Sequence, residues 1–159
     1  MATIHLMVGF IGFGKTTLAE KLAEELPAVC LTHDKYMVKL FGRSLPEAEF
    51  RTAYKKVDDM LWDLAAKIIK SNRDVIMDYG FWNKEKRREA YAKAKSLTEN
   101  VIFHQINCDM TTAKQRVLKR STENPQELNI SENDFDTLSK QYQPLEADEK
   151  YDIIYHNNN

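Results

Sequence analysis

Short apolar runs alternate with amphipathic stretches along the chain. Five runs have the length of a buried strand, at 4–8, 28–31, 75–78, 101–106 and 151–155. Between them, apolar residues recur at three- and four-residue spacings, which is the period of a helix with one buried face. Strands that alternate with helices in this way predict an α/β fold, in which helices cover both faces of a parallel sheet.

The longest predicted helix carries one continuous apolar stripe over 50–68. Ser44 and Glu47 precede it with the spacing of a capping box. A coiled coil would give a similar stripe, but Ala53 and Trp62 interrupt its heptads, so packing against the sheet is favoured. The other helices are predicted over 15–26, 35–41 and 84–97, from Thr111 or Thr112, and from Ser131.

The most specific motif lies between the first strand and the first helix. Residues 9–16 read Gly-Phe-Ile-Gly-Phe-Gly-Lys-Thr and satisfy the phosphate-binding P-loop pattern G-x-x-x-x-G-K-[ST]. Glycines let successive backbone N–H groups face an anion, Lys15 reaches the β- and γ-phosphates, and the Thr16 hydroxyl ligates Mg²⁺. No N-K-x-D motif for reading guanine is present, so we expect ATP with Mg²⁺. The residues predicted to bind the nucleotide are Gly9, Gly12, Phe13, Gly14, Lys15, Thr16 and Thr17.

Asp34 lies just beyond the second predicted strand, at the edge of the sheet where α/β proteins bind their ligands. A carboxylate that faces a P-loop can take the proton of an acceptor hydroxyl as it attacks the γ-phosphate. Asp34 is therefore a candidate general base, and an N-cap of the following helix is the alternative. The neighbouring His33 is a second candidate base.

Asp78 ends the third apolar run, as the acidic residue of a Walker-B strand does. Such a residue holds Mg²⁺ directly or through water, so Asp78 and Thr16 are the predicted metal-binding residues. A role in orienting the acceptor is also open for Asp78. Asp109, which follows the fourth strand, is the competing candidate for the metal.

Arg116 and Arg120 are four residues apart and therefore lie on one face of the helix that is predicted to begin at Thr111 or Thr112. A polar loop over 121–130 follows them. Two guanidinium groups beside such a loop suit a lid, over about residues 112–135, that closes on the transferring phosphoryl group. A solvated helix face is the alternative, and it is also our interpretation of the mixed-charge run at 84–88.

Composition narrows the class of protein. With 159 residues the chain is long enough for one domain with a sizeable core, so we expect a single domain over 1–159. No apolar run approaches the length of a membrane span, and the isolated Cys30 and Cys108 are typical of a cytoplasmic protein with reduced thiols. A net charge of −1 provides no bulk attraction for nucleic acid or for an anionic membrane.

Three segments together resemble a family of small bacterial P-loop kinases of the AAA type. They are the P-loop with Thr17, Leu18 and Ala19 behind it, the triplet 32–34, and the stretch 75–82. This family is similar in turn to chloramphenicol phosphotransferase, zeta toxin and the kinase domain of bacteriophage polynucleotide kinase. The resemblance covers nearly the whole chain.

The resemblance implies an adenylate-kinase-like sheet of order 2-3-1-4-5 and ATP-dependent phosphorylation of a hydroxyl. It also implies that Asp34 is the base and that Arg116 and Arg120 belong to the lid. The sequence departs from the pattern at Phe13, where Ser or Ala is common. It departs again at Met37, where the polynucleotide kinase has an arginine that grips substrate phosphate.

We therefore expect a P-loop phosphotransferase that transfers the γ-phosphoryl group of ATP to a hydroxyl of a small molecule. The catalytic residues are expected to be Lys15, Asp34, Arg116 and Arg120. A polynucleotide 5′-hydroxyl kinase is the first alternative, and the near-neutral charge and Met37 disfavour it. A nucleotide-dependent regulatory ATPase or switch is the second alternative.

Overall fold

The computed structural model of the chain describes residues 1–125 and 127–158. Strands and helices alternate as the apolar pattern predicts, with five strands and six helices in the described residues. In chain order they are β1 (Thr3–Val8), α1 (Lys15–Glu25), β2 (Ala28–Thr32), α2 (His33–Phe41), α3 (Glu47–Lys70), β3 (Asp74–Asp78), α4 (Lys84–Leu97), β4 (Asn100–Asn107), α5 (Met110–Glu123), α6 (Glu132–Ser139) and β5 (Ile153–Asn157).

The strands form one parallel sheet in the order β2-β3-β1-β4-β5, which confirms the predicted fold class and strand order. The central strand β1 pairs with β3 on one side and with β4 on the other, and Leu6 lies opposite both Met77 and Phe103. Because all strands run the same way, their carboxyl ends meet at one edge. That edge holds the P-loop, the start of α2 and the loop after β3.

Each face of the sheet packs against its own group of helices. One face contacts α2, α3 and α4, through a cluster that includes Ile4, Leu6, Val57, Leu61 and Ala94. The other face contacts α1, α5 and α6, through a cluster that includes Met7, Ala19, Ala113, Val117 and Phe135. Ile4, Leu6 and Val8 of β1 belong to the first cluster and Met7 to the second, and burial on both sides explains why the strand is largely apolar. No helix within the described ranges is long and apolar enough to cross a membrane.

Helix ends agree with the sequence signals at several points and differ at others, since α2 begins at His33 and α5 at Met110, each earlier than predicted. Gly42 ends α2 with a positive φ of 84°, and Ser131 forms a capping box with Asp134 at the start of α6. The capping box predicted from Ser44 and Glu47 is wrong, because α3 begins at Glu47 itself with Pro46 as its N-cap. Ser44 then lies two residues before the cap and outside the reach of the first helical turn.

Candidate active site

The P-loop leaves β1 and ends where α1 begins, as the motif requires. Gly14 is the N-cap of α1 with φ 92°, and Gly12 has φ 81°. A Cβ on Gly12 would lie 2.5 Å from the carbonyl oxygen of Ala113, so only glycine lets the loop pack this closely against α5. The ammonium group of Lys15 donates a hydrogen bond of 3.0 Å to the Phe10 carbonyl oxygen.

The unusual Phe13 is buried on the inner side of the loop. Its ring contacts those of Phe10 and Tyr142 edge-on, at centroid distances of 6.1 and 5.5 Å. Phe10 also contacts Trp82 and Phe135, at 5.0 and 5.1 Å. The departure from Ser or Ala therefore adds a ring that packs against Tyr142, in the segment after α6, and against Phe10, which itself contacts α6 and the loop after β3.

A hydrogen-bonded group of oxygens lies at the ends of β2 and β3. The Thr16 hydroxyl donates to the Asp78 carboxylate over 2.7 Å, and the Thr32 hydroxyl donates to the same oxygen over 3.0 Å. Thr32 and Asp78 face each other in the β2–β3 register. The sequence did not single out Thr32, because its role depends on that register and no local pattern reports it.

Burial and charge shift the pKa values of this group in opposite directions. Loss of water around the buried Asp78 raises the pKa of its carboxyl group, while Lys15 and the two threonine hydroxyls oppose the rise. Loss of water lowers the pKa of Lys15, while the charges of Asp78 and Asp34 oppose the fall and that of Arg120 adds to it. The predicted residues thus act on one another within one cleft.

These residues fit a bound Mg²⁺. This ion prefers oxygen ligands and is held by one or two carboxylates together with substrate phosphates and water. Asp78 and Thr16 supply such oxygens beside the P-loop. Within residues 1–125 and 127–158, no cluster of three or more His, Cys, Asp or Glu side chains could hold a metal, so an all-protein cage is not formed there. The competing Asp109 instead caps α5 and accepts a hydrogen bond from the Thr112 amide.

Asp34 lies in the first turn of α2, and Thr32 occupies the N-cap position. The alternative role of Asp34 as the N-cap is therefore wrong. Asp34 is exposed, although neighbouring protein groups displace part of the water around its carboxyl group. That loss of water raises the pKa of Asp34, Glu127 raises it further, and Lys15 and Arg120 lower it.

The two arginines of α5 have different surroundings. Arg120 acts electrostatically on Lys15 and Asp34, and its buried Nε atom has no hydrogen-bond acceptor among the described residues. Arg116 instead extends along the side of the P-loop, with Nη1 3.4 Å from the Gly12 carbonyl oxygen. The arginines thus start from one helix face but reach different parts of the site.

Aromatic side chains surround the start of α2. His33 is buried and stacks on Tyr54 with a centroid distance of 3.9 Å, and its Nε2 lies 3.1 Å from the Tyr54 carbonyl oxygen. Tyr79 stacks on Phe81 at 5.1 Å. His33, the second candidate base, is thus closed to solvent, and burial lowers its pKa.

A buried ion pair supports the loop after β3, and the sequence interpretation missed it. Arg87 belongs to the run at 84–88 that we predicted to be a solvated face, yet its side chain has no exposed surface. It binds Glu149 through two hydrogen bonds of 2.7 and 2.8 Å and also donates to the Phe81 carbonyl oxygen over 2.9 Å. Phe81 has a φ of 46°, a strained conformation that this contact helps to hold.

Solved structures with the same fold include several kinases. A candidate kinase from Chloroflexus aurantiacus j-10-fl has a TM-score of 0.73 at 19% identity, over 98% of this chain and 88% of that one. A chain of the Pnkp1/Rnl/Hen1 RNA repair complex has a TM-score of 0.71 at 17% identity, over 88% of this chain and 43% of that one. A sugar kinase from Janibacter sp. HTCC2649 has a TM-score of 0.66 at 18% identity, over 99% of this chain and 86% of that one.

At these identities the similarity establishes the fold, which is that of P-loop kinases. No curated protein matches the sequence. The family described as "AAA domain" matches residues 4–145, a range that contains the P-loop, both aspartates and both arginines. The chain therefore belongs to this AAA-domain family of P-loop proteins.

Proposed function

We propose that the protein is an ATP-dependent kinase that phosphorylates a hydroxyl group of a small molecule. One observation carries the proposal. Thr16 of the P-loop and Thr32 at the end of β2 donate to the same oxygen of Asp78, and Asp34 follows Thr32 by two residues, so the candidate base lies at the edge of the sheet where the P-loop would hold the phosphoryl donor. A carboxylate there could equally orient a water for hydrolysis, so the kinase and the regulatory ATPase are separated by whether an acceptor stimulates turnover.

In this reaction the P-loop amides and Lys15 hold the β- and γ-phosphates. Asp34 takes the proton of the acceptor hydroxyl, whose oxygen forms the new bond to the γ-phosphorus while the bond to the bridging oxygen of ADP breaks. Arg120 is placed to stabilise the charge of the transferring group. Mg²⁺, held by Thr16 and Asp78, neutralises charge on the phosphates when it is bound.

A polynucleotide 5′-hydroxyl kinase is the second candidate, because a chain of an RNA repair complex shares the fold. Two features disfavour it. The net charge of −1 offers no attraction for a polyanion, and Met37, at the position of the phosphate-gripping arginine in the polynucleotide kinase, is 1% exposed. It cannot contact an acceptor without a rearrangement of the core.

The function is tested by ADP release from MgATP with a panel of sugars, amino sugars, amino alcohols, nucleosides and 5′-hydroxyl oligonucleotides. We expect one class to raise turnover well above basal hydrolysis. Lys15→Ala should abolish turnover through loss of phosphate binding. Asp34→Asn should retain affinity for MgATP and lower the rate of transfer by about 100-fold, which is within the usual contribution of a general base.

Asp63→Asn is the matched control for Asp34→Asn, because it makes the same chemical change on an exposed residue of α3. It should transfer phosphate at the wild-type rate. Full transfer by Asp34→Asn would refute the role of Asp34. Slow hydrolysis that no acceptor stimulates and that Asp34→Asn leaves unchanged would instead favour the regulatory ATPase.

A further inference from the structure

The carbonyl groups of the P-loop need hydrogen-bond donors of their own, because the loop directs its amides at the phosphates. When successive N–H groups face an anion, the carbonyl groups between them point away from it. The Gly14 carbonyl oxygen accepts from the Leu18 amide of α1 over 3.1 Å. Gly12 and Phe13 lie before that helix, and the donors to their carbonyl oxygens come from elsewhere in the chain.

Two side chains from distant elements supply these donors. Asn158, directly after β5, donates through Nδ2 to the Phe13 carbonyl oxygen over 2.9 Å. Arg116 of α5 donates through Nη1 to the Gly12 carbonyl oxygen over 3.4 Å. The partners are 145 and 104 residues apart along the sequence, so only the folded chain brings these groups to the loop.

The two donors also contact each other. Nη1 of Arg116 lies 3.3 Å from the Asn158 carbonyl oxygen. The backbone amide of Asn158 donates to the Asn107 carbonyl oxygen over 2.8 Å, which extends the pairing of β5 with β4. The backbone of Asn158 is thus bonded through both its amide and its carbonyl group, and its side-chain amide is held against the loop although the residue is exposed.

Gly14 leaves room for this side-chain amide. Its φ of 92° is a conformation that favours glycine. A Cβ at this position would also clash with the side-chain amide of Asn158. Asn158 therefore contacts the residue at which the loop turns into α1, in addition to its hydrogen bond with Phe13.

We propose that Arg116 and Asn158 are positioning residues that hold the P-loop in its phosphate-binding conformation, and that they act on the affinity for the nucleotide rather than on the rate of turnover. A loop that is fixed in its bound conformation before the ligand arrives loses less conformational entropy on binding. The inference requires only that the loop binds a nucleotide, so it is independent of the kinase function. It gives Arg116 a different task from the lid role that the family resemblance implies.

The two roles of Arg116 differ in their effect on ADP. The P-loop binds the β-phosphate, which ADP and ATP share, so a residue that shapes the loop should affect both nucleotides by the same factor. An arginine that closes on the transferring γ-phosphoryl group acts on ATP or on the rate and leaves the affinity for ADP unchanged. Binding of both nucleotides therefore separates a positioning residue from a lid residue.

The test is calorimetric titration of the wild type, Asn158→Ala and Arg116→Ala with MgADP and with a non-hydrolysable MgATP analogue. We expect each substitution to raise the Kd of both nucleotides by about 5- to 10-fold, the usual effect of one lost hydrogen bond. The rate of ADP release at saturating MgATP should change by less than about twofold. The double variant should raise the Kd by less than the product of the single effects, because both residues act on one loop.

Two matched controls and one further variant test the hydrogen bonds themselves. Asn157→Ala makes the same change at the neighbouring exposed residue of β5, and Lys119→Ala removes one positive charge from an exposed position of α5. Both should bind the nucleotides as the wild type does. Asn158→Leu retains most of the side-chain volume without the amide donor, and it should weaken binding as Asn158→Ala does.

Unchanged affinity in Asn158→Ala, or wild-type affinity in Asn158→Leu, would overturn the inference. A loss in Arg116→Ala that is confined to the ATP analogue or to the rate would also overturn it and return Arg116 to the lid. An equal loss in Asn157→Ala would assign the effect to the end of β5 as a whole, against the inference. A loss of affinity for both nucleotides supports the inference even if no acceptor stimulates turnover and the kinase function fails.

Discussion

Two aspartates end or follow neighbouring strands, and their surroundings suit them to different tasks. Asp78 is 5% exposed and accepts hydrogen bonds from two threonine hydroxyls, so its oxygens are fixed in place. Asp34 is exposed in the first turn of α2. A fixed carboxylate suits a metal ligand, whereas a carboxylate open to the acceptor suits a proton carrier.

The pKa of Asp34 leads to a prediction at this scale. A general base must be ionised, and the rise in the pKa of Asp34 means that activity should fall with decreasing pH earlier than for an ordinary aspartate, whose pKa is 3.8. The rate of transfer should therefore be highest above the raised pKa of Asp34, where the carboxylate is ionised, and should be lost as the pH falls below that pKa. The measurement is the pH dependence of kcat/KM for the acceptor, with MgATP saturating. An activity that increases toward acid would contradict the role of Asp34 as base.

At the scale of elements, the loop after β3 connects the two sides of the site. Its Gly80 carbonyl oxygen accepts a hydrogen bond of 3.2 Å from the Gly9 amide of the P-loop. The next residue, Phe81, is held in a left-handed conformation by the buried Arg87, which Glu149 neutralises from the segment before β5. The loop is thus fixed by α4 and by a distant part of the chain.

Arg87→Ala should lower the free energy of unfolding by about 3–5 kcal/mol, because it leaves the buried Glu149 without a partner. The measurement is urea unfolding at pH 7. Arg88→Ala is the matched control, since Arg88 is exposed and its removal should change stability by less than about 0.5 kcal/mol.

A double variant separates the buried charge from lost packing. Arg87→Met combined with Glu149→Leu removes both charges and retains apolar volume, so it should be more stable than Arg87→Ala. If the double variant were no more stable than Arg87→Ala, the unpaired charge of Glu149 would not explain the loss of stability.

At the scale of the molecule, three histidines form a row across the sheet. His5 on β1 is 3.0 Å from His104 on β4, which is 3.0 Å from His156 on β5. Asp74 lies 3.7 Å from His5 at one end of the row. Burial and the neighbouring histidines lower the pKa of His104 to about 4, and burial lowers those of His5 and His156. The row is therefore uncharged at neutral pH.

This row predicts that acid destabilises the fold. The unfolded chain takes up protons below about pH 6.5, the usual pKa of histidine, whereas the folded His104 resists protonation until about pH 4. Stability contributed by His104 is complete above the first value and falls toward the second, by about 1.4 kcal/mol per pH unit for one proton. Urea unfolding from pH 7.5 to 4.5 should show a steeper decline for the wild type than for His104→Gln. Parallel declines would contradict the prediction.

Local sequence determined the fold class and the nucleotide-binding loop. The apolar runs show the periods of strands and helices without any information from distant residues. The P-loop binds phosphate through the backbone amides of one continuous segment, residues 9–17. The order of the sheet came from the family resemblance. The candidate residues Asp34 and Asp78 followed from the rule that parallel strands end at one edge, because each lies at or just after the end of a strand.

Tertiary structure decided what depends on contacts between distant residues. The bond of Thr32 to Asp78 needs the β2–β3 register, and the burial of Arg87 needs Glu149, 62 residues away. Likewise, the different directions of Arg116 and Arg120 come from packing between elements. Helical spacing predicts the helix face on which a side chain lies. The charged groups and carbonyl oxygens that the side chain contacts are determined only by the packing of the folded chain.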